Sequence, residues 1–147
     1  KYVQLIANRL REMGVYKDEL SISAVANMTK AAPLHDIGKV GIPDNILKKN
    51  GSLTDDEWTV MKTHALLGEE VLKAAKVEDA KHTKVLDAAI DIAGGHHECW
   101  DGSGYPEGLE EEAIPLGSRI IRIPDYFDAL VHARGYRTPM RSAAAPT

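Results

Sequence analysis

The chain has 147 residues, of which 44% are apolar and 27% are charged, and its formal net charge is −4. This length suits one domain with a sizeable core, and the ordinary composition argues against disorder. The negative charge argues against a nucleic acid polymer as partner, since such partners favour a strongly basic face. No apolar run approaches the roughly 18 residues of a membrane span, and a single cysteine, Cys99, excludes an intrachain disulfide and fits a reducing cytosol.

The amino-terminal part of the chain is predicted to form two helices. Apolar residues recur at helical spacing over residues 3–13, and Gly14 follows as a C-cap. A second helix is predicted from about Ser21 to the region of His35. Pro33 lies inside this stretch and is expected to kink the helix, because proline lacks the N–H that a helix interior needs.

A third helix is predicted after a glycine-rich loop over residues 38–44. The segment Thr54-Asp55-Asp56-Glu57 is a capping box, which predicts that this helix begins at Thr54. Its predicted core face consists of Trp58, Met61, Ala65, Gly68 and Leu72.

The second half of the chain predicts two further helices around a long loop. One helix covers roughly residues 82–97, and its two neighbouring apolar stripes end at His96 and His97. Both histidines are therefore expected to point inward. A Gly/Pro-rich loop is predicted over 101–117 and a last helix over 118–133, so the fold class is all-α with a single helical domain.

Histidines and carboxylates cluster at two places where a packed core needs neither, because both are costly to bury unless paired or metal-bound. The first cluster covers residues 35–39, and the second covers 96–106 with its glycine-rich turn. Histidine together with carboxylate suits Fe, Mn or Zn, whereas an oxygen cage suits Mg or Ca. The candidate metal ligands are His35, Asp36, His64, His96, His97 and Asp125.

The adjacent pairs His35-Asp36 and His96-His97 indicate a site for two metals. Neighbouring residues on a helix diverge by about 100°, so each pair can face two ions, with Asp36 between them as a bridge. Two metals about 3.5–4 Å apart bind phosphoryl oxygens and activate water for in-line attack on phosphorus. Lys39 follows His35 by one turn and would neutralise charge on the transferring phosphoryl group. Asp36 and Lys39 are therefore the predicted catalytic residues.

Single members of this set also have ordinary structural interpretations. A lone histidine such as His64 is more often a hydrogen-bonded core residue, and His35-Asp36 alone can be a charge pair at a helix end. The loop over residues 102–106 can be a simple chain reversal, but its place directly after the histidine pair favours substrate contact. Glu98 and Asp101 are expected either to orient the histidines or to fix the loop.

Several motifs, in the same order, resemble the HD-GYP family, a subgroup of the HD metal-dependent phosphohydrolases. The resemblance covers about residues 31–137 and is highly specific. The matching stretches are His35-Asp36-Ile37-Gly38-Lys39, Gly41-Ile42-Pro43-Asp44, His64-Ala65-Leu66-Leu67-Gly68, the whole of His96 to Pro106, Ile114-Pro115-Leu116 with Arg119-Ile120, Asp125-Tyr126-Phe127-Asp128-Ala129-Leu130 and Arg134-Gly135-Tyr136-Arg137.

The resemblance implies a bacterial, cytoplasmic HD-type domain over residues 1–147, incomplete at its amino terminus, that hydrolyses cyclic di-GMP to pGpG and onward to GMP. It implies two divalent metal ions, with three as the alternative, and Fe or Mn as the metal. An amino-terminal sensor or receiver domain is expected outside the chain. The family's metal ligands carry over onto the six residues named above. Its substrate contacts carry over onto Lys39, Gly104, Tyr105, Arg134 and Arg137.

Two departures from the family pattern concern metal ligands. The family usually supplies a further Glu or His from an earlier helix, and no histidine precedes His35. Residues 2–13 resemble the later part of that helix, so we expect a truncated chain with the ligand within two turns upstream of Lys1; true loss of the ligand is the alternative. Pro124 directly precedes Asp125, removes a helical hydrogen bond and can shift the carboxylate.

Two other functions remain open beside hydrolysis of cyclic di-GMP. One is hydrolysis of another cyclic dinucleotide, such as cyclic GMP-AMP. The other is a non-catalytic signalling module that binds cyclic di-GMP or a partner, which the missing upstream ligand keeps open. The Gly104-Tyr105-Pro106 motif argues against a generic HD nucleotidase.

Overall fold

The computed structural model describes residues 1–78 and 82–131. Apart from one isolated bridge between Asp101 and Glu110, these residues contain no β-structure, so the predicted all-α fold is confirmed. None of the described helices is long and apolar enough to cross a membrane. The helices are α1 (Tyr2–Glu12), α2 (Ile22–Ala31), α3 (Asp44–Leu47), α4 (Asp55–Lys62), α5 (His64–Glu78), α6 (Thr83–Gly95) and α7 (Leu116–Val131), with 3-10 turns at Ala32–Leu34, Ile37–Gly41 and Glu111–Ala113.

Helix α6 lies at the centre of the main core, in contact with α2, α5 and α7. Its residues Ala89, Ile92 and Ala93 are fully buried, and the two alanines allow neighbouring helices to approach closely. A smaller apolar cluster of Ile42, Ile46 and Met61 lies under α3 and α4. The carboxyl end of α6, where the histidine pair follows, is therefore held from several sides.

The second helix ends earlier than the sequence predicts. Ser21 caps it, since its hydroxyl accepts a hydrogen bond from the backbone N–H of Ala24 at 3.1 Å. The helix ends at Ala31 instead of continuing with a kink, and Pro33 lies in the 3-10 turn that follows. Proline donates no backbone hydrogen bond, so the α-helical bonding pattern ends before Pro33, although Ala32 itself keeps α-helical backbone angles. His35 consequently lies in a turn between two 3-10 segments.

The third predicted helix begins as expected but consists of two helices. The capping box is present, with Thr54 accepting from the N–H of Glu57 and the Glu57 carboxylate accepting from the N–H of Thr54. The helix is interrupted at Thr63, between α4 and α5. The prediction that Trp58 faces the core is wrong: it is 42% exposed, because the small cluster around Met61 ends before it. The other four predicted core-face residues are buried.

One glycine fixes the distance between the Ile37–Gly41 turn and α5. A Cβ atom at Gly38 would lie 1.9 Å from the carbonyl oxygen of His64 and 2.4 Å from the backbone nitrogen of Gly68. Real atoms cannot approach that closely, so only glycine fits this contact. The turn that carries Asp36 therefore rests directly on the helix that carries His64.

Candidate metal centre and substrate cleft

The predicted metal ligands come from four separate segments of the chain that meet at the carboxyl end of α6. The segments are the turn before Ile37–Gly41 (His35, Asp36), the start of α5 (His64), the residues after α6 (His96, His97) and the interior of α7 (Asp125). The structure brings these side chains together, and their role as metal ligands stays a prediction.

One half of the cluster, called the buried half below, consists of the buried His64 and His96 and the half-buried His97 around one oxygen of Asp36. The Nε2 atom of His64 lies 3.1 Å from Nε2 of His97 and 3.4 Å from Nε2 of His96. Asp36 Oδ1 lies 3.5 Å from Nε2 of His64 and 3.8 Å from Nε2 of His96. Two nitrogens bound to one metal at about 2.0–2.1 Å are separated by roughly 3.0–3.4 Å. The nitrogen spacing therefore fits one shared metal position.

Backbone carbonyls orient three of the histidine rings. In His35, His64 and His96, Nδ1 lies 2.7–3.0 Å from the carbonyl oxygen of the residue three positions earlier. A carbonyl only accepts, so Nδ1 carries a proton in all three rings, and Nε2 of the neutral His64 and His96 carries the lone pair that faces the cluster. Metal-binding histidines are commonly oriented in this way by the hydrogen bond of their other nitrogen.

The other half of the cluster combines a histidine, carboxylates and a lysine. His35 Nε2 lies 3.4 Å from Asp36 Oδ2 and 3.7 Å from Asp125 Oδ1. Lys39 Nζ donates a hydrogen bond to the same Oδ2 atom at 2.5 Å. The two oxygens of Asp36 therefore face different halves, which is the arrangement that a bridging carboxylate requires. Pro124 lies inside α7, yet the Asp125 carboxylate reaches the cluster.

The pKa values of the histidines shift in opposite directions in the two halves. Burial, with neighbouring histidines adding to it, lowers the pKa of His97 to about 2 and that of His96 to about 4. Burial also lowers the pKa of His35, but the hydrogen bond with Asp125 and the charge of Asp36 outweigh it, and the pKa is raised. Burial raises the pKa of Asp125, but the contact with His35 dominates and lowers it to about 2. Neutral imidazoles and ionised carboxylates are the forms that bind metal ions.

A cleft of about 450 Å³ opens at the cluster and includes Gly104 and Tyr105, two of the predicted substrate contacts. The Tyr105 ring stacks on the ring of His97, with centroids 4.6 Å apart and an interplanar angle of 22°. A Cβ atom at Gly104 would lie 2.3 Å from the backbone nitrogen of Cys99, so only glycine lets this loop lie against the chain after the histidine pair.

Glu98 and Asp101 fix this loop, which decides between their two predicted roles. The Glu98 carboxylate is buried and accepts hydrogen bonds from the N–H groups of Glu107 at 2.8 Å and Leu109 at 3.0 Å. The Asp101 carboxylate accepts from the hydroxyl of Ser103 at 2.6 Å and from its N–H at 3.1 Å. Both carboxylates therefore hold the backbone that carries Tyr105.

The sequence analysis missed three residues that line the cleft, namely Trp58, Lys62 and Arg122. Their positions in the sequence could have indicated them. Lys62 precedes the candidate ligand His64 by two residues, and Arg122 precedes Asp125 by three residues, about one helical turn. The predicted substrate contacts Arg134 and Arg137 lie outside the described residues.

The HD domain family matches residues 1–146 of the chain. A Vibrio cholerae protein named "Probable cyclic di-GMP phosphodiesterase" is 51% identical over 139 residues, or 95% of this chain. The cyclic di-GMP phosphodiesterase of Thermotoga maritima is 44% identical over 86% of it, and the 3'3'-cGAMP-specific phosphodiesterase 2 of Vibrio cholerae is 47% identical over 78%. The chain spans 32%, 33% and 21% of the lengths of these three relatives. It belongs to the HD domain family, in the HD-GYP subgroup.

Proposed function

We propose that this chain is the catalytic domain of a metal-dependent phosphodiesterase that hydrolyses cyclic di-GMP to pGpG and GMP. The observation that carries the proposal is the position of Asp36, which turns one oxygen to each half of the ligand cluster at the edge of a cleft. Similarity to several proteins named cyclic di-GMP phosphodiesterases supports the choice of substrate.

Each half of the cluster is proposed to hold one divalent ion, Fe or Mn, with a third ion as the alternative. His64, His96 and His97 serve one half, and His35 and Asp125 serve the other. Bound metals would neutralise phosphoryl oxygens and lower the pKa of a water that attacks phosphorus in line. The mixture of imidazole and carboxylate ligands favours these metals over Mg and Ca.

The side chains around the cluster are proposed to manage charge and position during hydrolysis. The attacking water would lose a proton as its oxygen bonds to phosphorus, one ester P–O bond would break, and the leaving alkoxide oxygen would take a proton to become a hydroxyl. Lys39, whose ammonium contacts Asp36, is proposed to neutralise the charge that develops on phosphorus. Gly104, Tyr105, Arg134 and Arg137 are proposed to contact the substrate.

A second candidate substrate is 3'3'-cGAMP. Relatives that are 47% and 39% identical to this chain are named 3'3'-cGAMP-specific phosphodiesterases. This dinucleotide differs from cyclic di-GMP in one base, so the same metal chemistry applies to both. Contacts between the metals and the phosphates would therefore not discriminate between the two substrates.

The test is hydrolysis by the metal-loaded full-length protein, with both cyclic dinucleotides and chromatography of the products. Faster turnover of cyclic di-GMP to pGpG or GMP would support the proposal. Faster turnover of 3'3'-cGAMP would favour the second candidate. Tight binding of either nucleotide by fully metal-loaded protein without turnover would instead identify a non-catalytic signalling module.

A ligand upstream of this chain is part of the proposal. A cleft of about 370 Å³ opens beside His35 and Asp125 and is lined by Lys1 and Tyr2. A Glu or His within two turns before Lys1 in a longer chain would lie near this cleft. The metal content of proteins with and without the preceding segment tests this, and equal content with equal activity would contradict it.

A further inference from the structure

One face of α4 lines the cleft opposite the Gly104-Tyr105 loop. We propose that this face binds the part of the substrate that lies away from the metals, with Lys62 on the second phosphate and Trp58 against a nucleobase. The inference rests on the proposed function, since it assumes a cyclic dinucleotide. It adds two substrate-positioning residues that the motifs do not include.

The two side chains share one face of a short, well-anchored helix. Trp58 and Lys62 are four residues apart, which places them on the same side of α4. Met61 lies on the adjoining side of α4 and packs into the small apolar cluster. The amino end of α4 is fixed by the capping box and by an ion pair between Lys49 and Glu57 at 2.5 Å. The face is thus part of the rigid structure that positions His64.

Lys62 is available to an anionic ligand. Its side chain is half-buried, and Nζ lies 6.0 Å from the centroid of the Tyr105 ring, which in turn stacks on His97. Within the described part of the chain, Nζ of Lys62 has no carboxylate within ion-pair distance, whereas Lys39, Lys48, Lys49, Lys73 and Lys76 each have one.

The other described cation of the cleft is engaged by the protein. The Arg122 guanidinium donates hydrogen bonds to the carbonyl oxygen of His96 at 3.4 Å and to Sγ of Cys99 at 3.0 Å. Among the described residues that line the cleft, Asp125 is the one carboxylate, and it already belongs to the ligand cluster. A cyclic dinucleotide carries two phosphodiester charges, and the metals would neutralise one. Lys62 supplies a partner for the other.

Trp58 supplies an aromatic surface at the same wall. Its side chain is 42% exposed, belongs to neither apolar cluster and lines the cleft. A large apolar ring left in solvent beside a ligand cleft is suited to stacking on a base, because every nucleobase has a π-face. Tyr105 lines the same cleft, so a dinucleotide would meet aromatic rings from two elements.

The test compares steady-state kinetics of full-length, metal-loaded variants with cyclic di-GMP. Trp58→Ala and Lys62→Ala are expected to raise KM by about tenfold each, the scale of one lost base stack or charged contact, while kcat changes less than KM. Trp58→Phe and Lys62→Arg should recover most of the affinity, which a merely structural role would not require. Lys84→Ala is the matched control, since Lys84 is an exposed lysine on α6.

Two readouts separate this inference from the proposed function. If the wild-type protein hydrolyses no cyclic dinucleotide, the proposed function fails. If it does, and KM is unchanged in both alanine variants, only the present inference is overturned. Fluorescence gives an independent check, because a Trp100→Phe protein retains Trp58 as the single tryptophan of this chain. Added pGpG should quench that emission, and unchanged emission at saturation would contradict base stacking.

Discussion

The two halves of the ligand cluster share Asp36 and differ in almost everything else. In the half made by His64, His96 and His97, the first two side chains are buried and His97 is half-buried, and the pKa values of all three histidines are lowered, chiefly by burial. The half made by His35 and Asp125 is more open, and ion pairing raises the pKa of His35.

This difference determines what a metal ion must displace on entering each half. Neutral imidazoles with free Nε2 lone pairs present no proton to be displaced. In the other half the neighbouring carboxylates raise the pKa of His35, so its proton is held more strongly, and the Lys39 ammonium contacts Asp36. We therefore expect the buried half to bind a metal ion more tightly than the other half, and with a weaker pH dependence.

The largest effect is expected from removing Asp36, the residue that joins the two halves. Asp36→Ala should lower the metal content of both halves and reduce hydrolysis by more than about 100-fold, beyond the usual effect of outer-shell partners. Elemental analysis and turnover of the same preparation measure both quantities. Asp44→Ala is the control, because Asp44 is an exposed carboxylate on α3. Wild-type turnover with full metal content in Asp36→Ala would remove the bridging assignment.

Single-histidine variants should separate the halves. We expect His64→Ala to lose the metal of the buried half and His35→Ala to lose that of the open half, each by about one equivalent per chain. Activity should fall by roughly 10–100-fold or more in both, since an opened coordination position weakens what remains. Metal content by elemental analysis, with His82→Ala as control, decides this. Identical and complete metal loss in both variants would show that the halves are not separate sites.

A third prediction concerns the contact that sets the distance between the halves. Gly38→Ala should lower the free energy of unfolding by about 1–3 kcal/mol, the usual cost of overpacking, because its Cβ would meet backbone atoms of α5. Gly41→Ala is the matched control, since its Cβ would meet only the side chain of Leu67. Urea denaturation of both variants measures the difference. Equal stability would mean that the turn can shift freely on α5.

The smallest expected effect is a pH dependence of the metal-free chain. The folded-state pKa values of His96, about 4, and His97, about 2, lie below the ordinary 6.5, so the unfolded chain binds more protons between these values. The contribution of these two histidines to the free energy of unfolding is therefore complete above about pH 6.5 and decreases as the pH falls below that value. The raised pKa of His35 acts in the opposite direction and offsets part of the loss.

Thermal unfolding of the metal-free chain between about pH 5 and 8 checks this direction. His97→Gln should flatten the pH profile, because the side chain with the most strongly lowered pKa of the cluster is then absent. A midpoint that rises as the pH falls would show that the open half dominates the balance.

Local rules predicted much of the helical framework. The capping box at Thr54 and the glycine after α1 depend on neighbouring residues alone, and both are present, with φ of 76° at Gly14. Trp58 shows where such rules stop. Its spacing from Met61 is helical, but among the described residues the apolar cluster under α4 ends at Met61 and does not cover Trp58.

The sequence by itself determined the all-α class, the family and the choice of six candidate ligands, because residue chemistry and motif order are written along the chain. Tertiary structure decided which oxygen of Asp36 faces which half, how far burial lowers the pKa values of the histidines, and which wall of the cleft Lys62 joins. These properties depend on contacts between segments that are remote along the chain. Close packing, such as that of Gly38 on α5, sets those contacts to within a fraction of an ångström, and no periodicity or spacing encodes them.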